Sequence, residues 1–565
     1  MRAVSLRCTF ALCASLMTFV ALPSIATATS TEAAIAGAAA YVRAQQDAAT
    51  GALPGFGGDW AATALAAAGV DTAEVRGPNP GDPSLQDFLL GEYTLPTWDE
   101  DPPLGTVAEY ARSTLVSLAA GLDPARLSAT SNQPAQLAGR WNPATGSFGE
   151  ASSYNTAFAI LSLKAAGLPR WALGPTVSFL RQNQHEDGGW TFTAALTPAA
   201  REEPSEEDMT GAAIAALCEA GVPSYDPAVA SALGYLRGRL IDASGGIEYL
   251  WGFPAGSPNA DTNAWVLSGL NACGVDPQSP EWTTSAGKTP VDYLLSLQVP
   301  SGVEAGGFGY EDASAANLYS SQDALRAIAG GVFAASPQST RTAPSVAAGT
   351  PVPHLLAIEL APGNVRICKV TAAAEAPLTQ LLAAAQVASR PAGCVSSFST
   401  ESGRVKSLNG VTPEGEDEAW VARLDRGAIV LAADQPVGFG DVIAMRIGQA
   451  PSSDAPAPAQ GSFGTQGLPG PAGDPGKRGP RGRRGHHARK SCKARHPRVG
   501  RRPRNGGRPG LGWPHGKHFP PRPCCRAGGL AGELLGERGR CQHRAGDGRP
   551  GRVRPAGEQR PPGPS

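Results

Sequence analysis

The sequence predicts a mainly α protein, with six helix pairs closing on themselves, then a small β-rich domain and an unstructured tail. Three observations predict it. Six small-residue helical segments each stop at a glycine followed by an apolar residue: Gly69, Gly121, Gly167, Gly221, Gly274 and Gly330. Consecutive stops lie 52, 46, 54, 53 and 56 residues apart, and a fixed period carrying one signature is an internal repeat. After about residue 354 the apolar pattern changes from helical to alternating. Beyond residue 449 no hydrophobic period remains.

Each repeat has a second helix upstream of the small-residue one, then a Gly/aromatic turn. The clearest runs from Val177 to Gln184 and on to Gly188-Gly189-Trp190. Ala40–Gln46 precedes Gly55-Phe56-Gly57-Gly58, and Tyr293–Gln298 precedes Gly306-Gly307-Phe308. Copies at Trp141 and Tyr235 are looser, and the one around Phe88 is degenerate. The unit is therefore helix, Gly-rich loop, helix. The stop glycine serves as a left-handed helix cap, which Gly adopts without strain.

A helix ending in Gln before Gly-Gly-Trp or Gly-Gly-Phe resembles the repeats of the squalene cyclase and prenyltransferase group, the α/α toroid. The resemblance covers residues 33–335 and implies six inner helices around an axis and six outer ones. Crowding at the axis fits the small residues Ala212, Ala213, Ala215 and Ala216. The Gln amide and the aromatic ring are expected to tie each loop to its neighbour.

Residues 1–28 read as a secretory signal: Arg2 and Arg7, an apolar stretch from Cys8 to Leu22, and the small-x-small site Ala26-Thr27-Ala28. No later segment is long and apolar enough to span a membrane. Export to a secreted or cell-surface location permits disulfides, and pairing within each domain, Cys218 with Cys273 and Cys368 with Cys394, is the economical expectation.

Residues 336–353, rich in Ala, Ser, Thr and Pro, read as an extended linker. Strand patterns follow at 354–360 and 365–370, a short helix at 377–385, and strands at 405–411, 418–424 and 440–447. The order of helix, Leu-Asn-Gly turn, Trp420 strand, Gly-Asp turn and last strand resembles the C-terminal β domain of the transcobalamin and intrinsic-factor group. The resemblance covers residues 354–449. A toroid followed by such a domain is the order found in cobalamin carriers, which implies a corrinoid as the bound ligand, held between the two domains. Such fold-level analogy leaves the site to be argued separately.

A second linker, 450–463, leads to a collagen-like run at 464–485, with glycine at every third position from Gly464 to Gly485. Such a run implies association of three chains. It stops at His486, and residues 486–565 carry 19 Lys and Arg against 4 acidic residues. Residues 1–473 carry 24 basic against 44 acidic residues. The tail is either a basic arm for polyanions or a GC-rich gene read in the wrong frame. We prefer the second, so no nucleic-acid partner is expected, and either way the segment is expected to be disordered. Surface attachment would then belong to an unshifted form.

The chemistry is read largely from what is missing. Toroid cyclases that protonate an alkene use an Asp-x-Asp-Asp cluster, which this chain lacks. A zinc site is poorly supplied, since only His185 and His354 precede the tail. His185 reads as a solvated loop residue. Polar residues instead gather where the inner helices start, with Tyr154, Asp208 and Asp261 in one aligned position and Thr156, Thr210 and Asn263 in another. N-capping would account for about half of this polar cluster. The expected ligand contacts are Trp60, Tyr110, Tyr154, Asn155, Asp208, Asp261, Asn263, Trp265 and Gln322, with no catalytic and no metal-binding residue. The leading expectation is a non-catalytic binding protein for a large organic ligand. The alternatives are an adhesive surface protein with a collagen-like stalk and a terpenoid-cyclase-like enzyme.

Overall fold

Twelve helices form the ring, alternating between an outer and an inner layer. The outer helices are α1 (Thr31–Ala44), α3 (Leu85–Tyr93), α5 (Gln133–Ala138), α7 (Gly174–Gln182), α9 (Pro227–Arg237) and α11 (Pro290–Ser296). The inner ones are α2 (Ala61–Ala67), α4 (Val107–Ala119), α6 (Ser153–Ala165), α8 (Glu207–Glu219), α10 (Ala260–Ala272) and α12 (Leu318–Ile328). Each inner helix packs on the next, and α12 packs on α2, so the ring closes. The computed structural model describes residues 30–55, 57–95, 106–388, 394–415, 417–425 and 428–449. The expected signal, second linker, collagen-like run and tail lie outside the described residues.

Closure follows from the repeated loop. Gln184 Nε2 donates to its own loop at Gly188 O (2.6 Å) and to the next outer helix at Ala228 O (2.8 Å). Gln46 does the same with Gly51 O and Val75 O, both at 2.8 Å. Gln298 bonds Gly306 O at 2.9 Å and, across the chain's ends, Ala34 O at 2.8 Å. One amide thus satisfies two carbonyls that burial would otherwise orphan. The turn aromatics Phe148, Trp190 and Phe308 are fully buried.

All six stop glycines have positive φ, between 65° and 108°, and they lie at the same end of the inner helices. Backbones meet most closely at α8 and α10, where a β-carbon on Gly211 would lie 2.7 Å from the Trp265 carbonyl oxygen. The same two helices are bridged by the Cys218–Cys273 disulfide.

The β domain forms a five-stranded sheet from β1 (Pro351–Ala361), β2 (Asn364–Ala373), β5 (Glu418–Leu424), β6 (Ala428–Val430) and β7 (Val442–Gln449), in the order β2-β1-β7-β5-β6. A hairpin of β3 (Phe398–Glu401) and β4 (Arg404–Leu408) stands beside it. The pair β1–β7 is parallel and the remaining pairs are antiparallel, with Trp420 opposite Ile447. Helix α13 (Leu378–Ala388) packs Leu381 and Leu382 into a core with Leu356, Ile358, Trp420 and Met445. Cys368 and Cys394 form the second disulfide. The alternate residues of β1, Leu355 and Ala357, join the ring's core instead. Both faces of this strand are covered, which explains its continuous apolar run.

One expectation changes here. The segment after Phe333 is not a free tether. Gln338 Nε2 donates to Ala66 O (3.4 Å), Arg341 N to Gly121 O (2.8 Å), and the Arg341 guanidinium to Asp87 (2.7 Å). These bonds lay it along the stop-glycine end, over the ends of α2 and α4. The β domain also docks beside that end. Arg126, just past the α4 stop, binds Asp123 at 2.5 Å, Asp425 at 2.6 Å, Asp441 at 2.8 Å and the Phe439 carbonyl at 2.6 Å. Asn132 and Gln136 of the α5 region bond Pro353 O and Lys369, at 2.8 and 2.7 Å. Burial and the Asp425 charge push the Asp441 carboxyl up against the pull of Arg126.

Candidate functional site: the mouth of the ring

The opposite end, where the inner helices start, is where the nominated residues fall. Capping is done by residues two or more positions earlier than the polar cluster. Ser152 accepts from Asn155 N, Asn259 from Thr262 N, and Asn317 from Tyr319 N. Tyr154, Asp208, Asp261 and Tyr319 follow as the second residue of their helices, released from capping and set around the mouth.

Below them the axis is filled. Phe158 of α6, Trp265 of α10 and Phe333, just beyond α12, meet edge to face with ring centroids 5.2 to 5.6 Å apart. Trp60 adds a fourth ring 6.0 Å from Phe158. Helices α6 and α12 stand on opposite sides of the ring, so their aromatics can touch only on the axis. Arg326 lies across this plug, its guanidinium carbon 4.7 Å from the centre of Phe333 and 5.8 Å from that of Trp60. Its charge is answered by Asp323 at 2.8 Å, whose other oxygen accepts from Trp265 Nε1 at 2.8 Å.

The cup above the plug is aromatic and acidic. Tyr154 stacks on Phe192 at 4.7 Å and runs nearly parallel to Trp265 at 6.4 Å. Phe192 is 46% exposed, a large apolar face left open at the rim. Its main chain is fixed by Glu206, which accepts from Phe192 N at 2.8 Å, and by Ser152, which donates to Phe192 O at 3.0 Å. Burial, then the charges of Glu206 and Glu207, raise the Asp208 carboxyl to about 7, although Met209 N donates to it. Burial raises Asp261 as well, followed by the Asp323 charge, and Asp208 adds to it. The Ser320 hydroxyl donates to the Asp261 carboxylate and opposes that rise. Tyr249 and Tyr310, from the next two loops, feel both Asp208 and one another or Asp261, and burial raises them too, Tyr310 to about 12.

Four nominated residues stand elsewhere in their roles. Asn263 is fully buried and holds its own loop, accepting from Ile247 N at 2.7 Å. Thr210 does the same for Trp190 N (3.0 Å) and Ser321 for Phe308 N (2.8 Å), so this row fastens the repeat. Gln322 is fully buried and donates to Gly57 O at 3.0 Å. Tyr110 is buried in the wall, with Arg140 4.4 Å over its ring. Trp60 belongs to the plug, while Asn155 stands half-buried at the mouth beside Tyr154. His185 is buried, not solvated, with Glu203 O at 2.7 Å from one ring nitrogen and Thr191 Oγ1 at 3.1 Å from the other. Phe333, Tyr319, Phe192 and Arg326 carry no motif that marks them in the sequence and become site residues only through closure of the ring.

Among the described residues no three His, Cys, Asp or Glu side chains are grouped to hold a metal ion, and no helix is long and apolar enough to cross a membrane. No family model and no curated protein matches the chain. Solved structures similar to it include haptocorrin in complex with Cbi, at 10% identity over 74% of this chain and 97% of that one, TM-score 0.32. A type II terpene cyclase from Scytonema matches at 15% identity over 53% of this chain and 97% of its own, TM-score 0.32. The ent-copalyl diphosphate synthase from Streptomyces platensis matches at 20% over 48% of this chain and 49% of its own, TM-score 0.33. Likenesses this distant carry no functional argument, so the site's own geometry must.

Proposed function

We propose that this is an exported, non-catalytic binding protein that holds an organic ligand in the cup at the ring's mouth. The observation that carries it is the open aromatic face of Phe192, backed by Tyr154, over a plugged axis, with Asp208 and Asp261 left out of the capping and fastening roles. Side chains spared from structural roles and grouped in a concavity are the usual mark of a binding site. The plug speaks against the cyclase alternative, since it fills the level where a polyisoprenoid chamber would lie. The two disulfides fit an exported chain.

A second reading moves a corrinoid-like ligand to the stop-glycine end, into a cavity of about 700 Å³ lined by Leu90, Asp123, Arg126, Arg341 and Val346, between the ring and the segment leading to β1. The nominated residues do not line it, so the two readings separate cleanly.

Titrating the full chain with the neutral dye Nile red tests the first. Saturable, blue-shifted emission that Phe192→Ala abolishes supports the mouth; a response that Phe192→Ala leaves intact removes it. Desalting the protein after incubation with cyanocobalamin tests the second, which requires a retained visible spectrum. Absence of both signals would favour the adhesive-protein reading.

A further inference from the structure

We propose that the mouth selects an organic cation, an ammonium group carried on an apolar body, with the cation between Asp208 and Asp261 and the body on Phe192 and Tyr154. This rests on the mouth being the binding site. It goes further by naming the charge of what enters.

Three features of the cup point the same way. Its walls are aromatic faces, which attract a cation through the ring quadrupole. Phe192 presents such a face at the rim, backed by Tyr154, which lies nearly parallel to it at 4.7 Å and to Trp265 at 6.4 Å. Its two carboxylates lack cationic partners of their own: the nearby Arg326 is paired with Asp323, and Arg112 with Asp59 and Glu109. The hydrogen bond that steadies Asp261 comes from the neutral Ser320 hydroxyl. The surroundings repeat this sign. The loops 183–206, 238–259 and 298–317 that frame the mouth contain ten acidic residues against Arg201 and Arg239. A cleft lined by one sign of charge concentrates the opposite ion.

Protonation gives the proposal a signature. Asp208 titrates near 7, raised by burial and by Glu206 and Glu207. Asp261 is raised by burial and by Asp323 and Asp208, with Arg326 opposing. The tyrosines facing them are Tyr249, Tyr310 and Tyr319. A cation entering between the two carboxylates favours their charged forms, so binding near pH 7 releases protons. A neutral ligand of the same shape releases none.

The probes are benzyltrimethylammonium and its neutral isostere neopentylbenzene, titrated calorimetrically into the full chain in two buffers of different ionisation enthalpy. The expected result is binding of the cation, proton release at pH 7, and at least about tenfold weaker binding of the isostere. Asp261→Asn and Asp208→Asn are each expected to weaken the cation about tenfold and to leave the isostere unchanged. Thermal melting of each variant checks that the ring is intact, and Phe192→Ala, at the exposed rim, serves where an Asn variant fails to fold. Equal binding of the two probes would overturn the cation assignment while leaving the mouth as a site for neutral ligands. Binding of neither would also overturn it, and the Nile red titration would then decide the mouth itself.

Discussion

The two ends of the ring are built from the same six inner helices and are finished in opposite ways. At the stop-glycine end the chain closes over itself: the segment 336–350 lies across α2 and α4, Phe333 enters the axis, and the β domain binds through Arg126. At the mouth aromatic side chains are left open, with Phe192, Trp251 and Phe253 exposed by 46%, 65% and 92%, above the buried carboxyls of Asp208 and Asp261. The difference teaches where selection for fold ends. Glycines and carbonyls at one end must be satisfied for the ring to exist, whereas Asp208 and Asp261 at the other raise its energy at neutral pH.

The largest effect expected from breaking this contrast is at the plug. Phe333→Ala removes a ring buried among Phe158, Trp265 and Arg326, and is expected to destabilise by about 3–5 kcal/mol in urea unfolding. A loss below about 1 kcal/mol would mean the axis is not packed as described.

Next is the seam. Arg126→Ala leaves Asp123, Asp425 and Asp441 mutually repelling, and a loss of roughly 2–4 kcal/mol is expected, seen first as hydrogen exchange in β1 and β7. Unchanged protection there would show that apolar contact alone holds the β domain.

Smaller, and of opposite sign, is Asp208→Asn. The folded-state pKa of Asp208 is raised to about 7, above that of the unfolded chain, so its contribution is favourable below about 4 and lost as pH rises through 7. The Asn variant is therefore expected to be more stable than the parent at pH 8, by roughly 1–3 kcal/mol, and no more stable at pH 4. Melting curves at the two pH values check this, and a destabilised variant at pH 8 would contradict it. The smallest effect is Phe192→Ala, whose half-exposed ring is expected to contribute under about 1 kcal/mol to stability while ligand capture is lost.

What the sequence revealed and concealed follows the same division. Gly69 through Gly330 and the Gln–Gly–aromatic turns were legible because each is local or repeats, whereas the two disulfides stood level with free thiols until the fold brought their cysteines together. The aligned row of Tyr154, Asp208 and Asp261 was legible for the same reason. Asn263 and Gln322 were misassigned because a buried amide that bonds a loop carbonyl or N–H looks, in sequence, like one left free. Phe333 was hidden because it follows the last repeat and gains its role only when α12 closes on α2. The linker was misread because its composition suits a tether, while the carbonyls of Ala66 and Gly121 that hold it lie far away in sequence.

The mouth and the seam make opposite demands on one comparison: the affinity of the full chain for Nile red in Phe192→Ala and in Arg126→Ala, each beside the parent. Loss of binding in Phe192→Ala with affinity unchanged in Arg126→Ala is the result expected if the ligand sits at the mouth. Binding kept in Phe192→Ala and lost in Arg126→Ala would contradict it and move the site to the seam between ring and β domain.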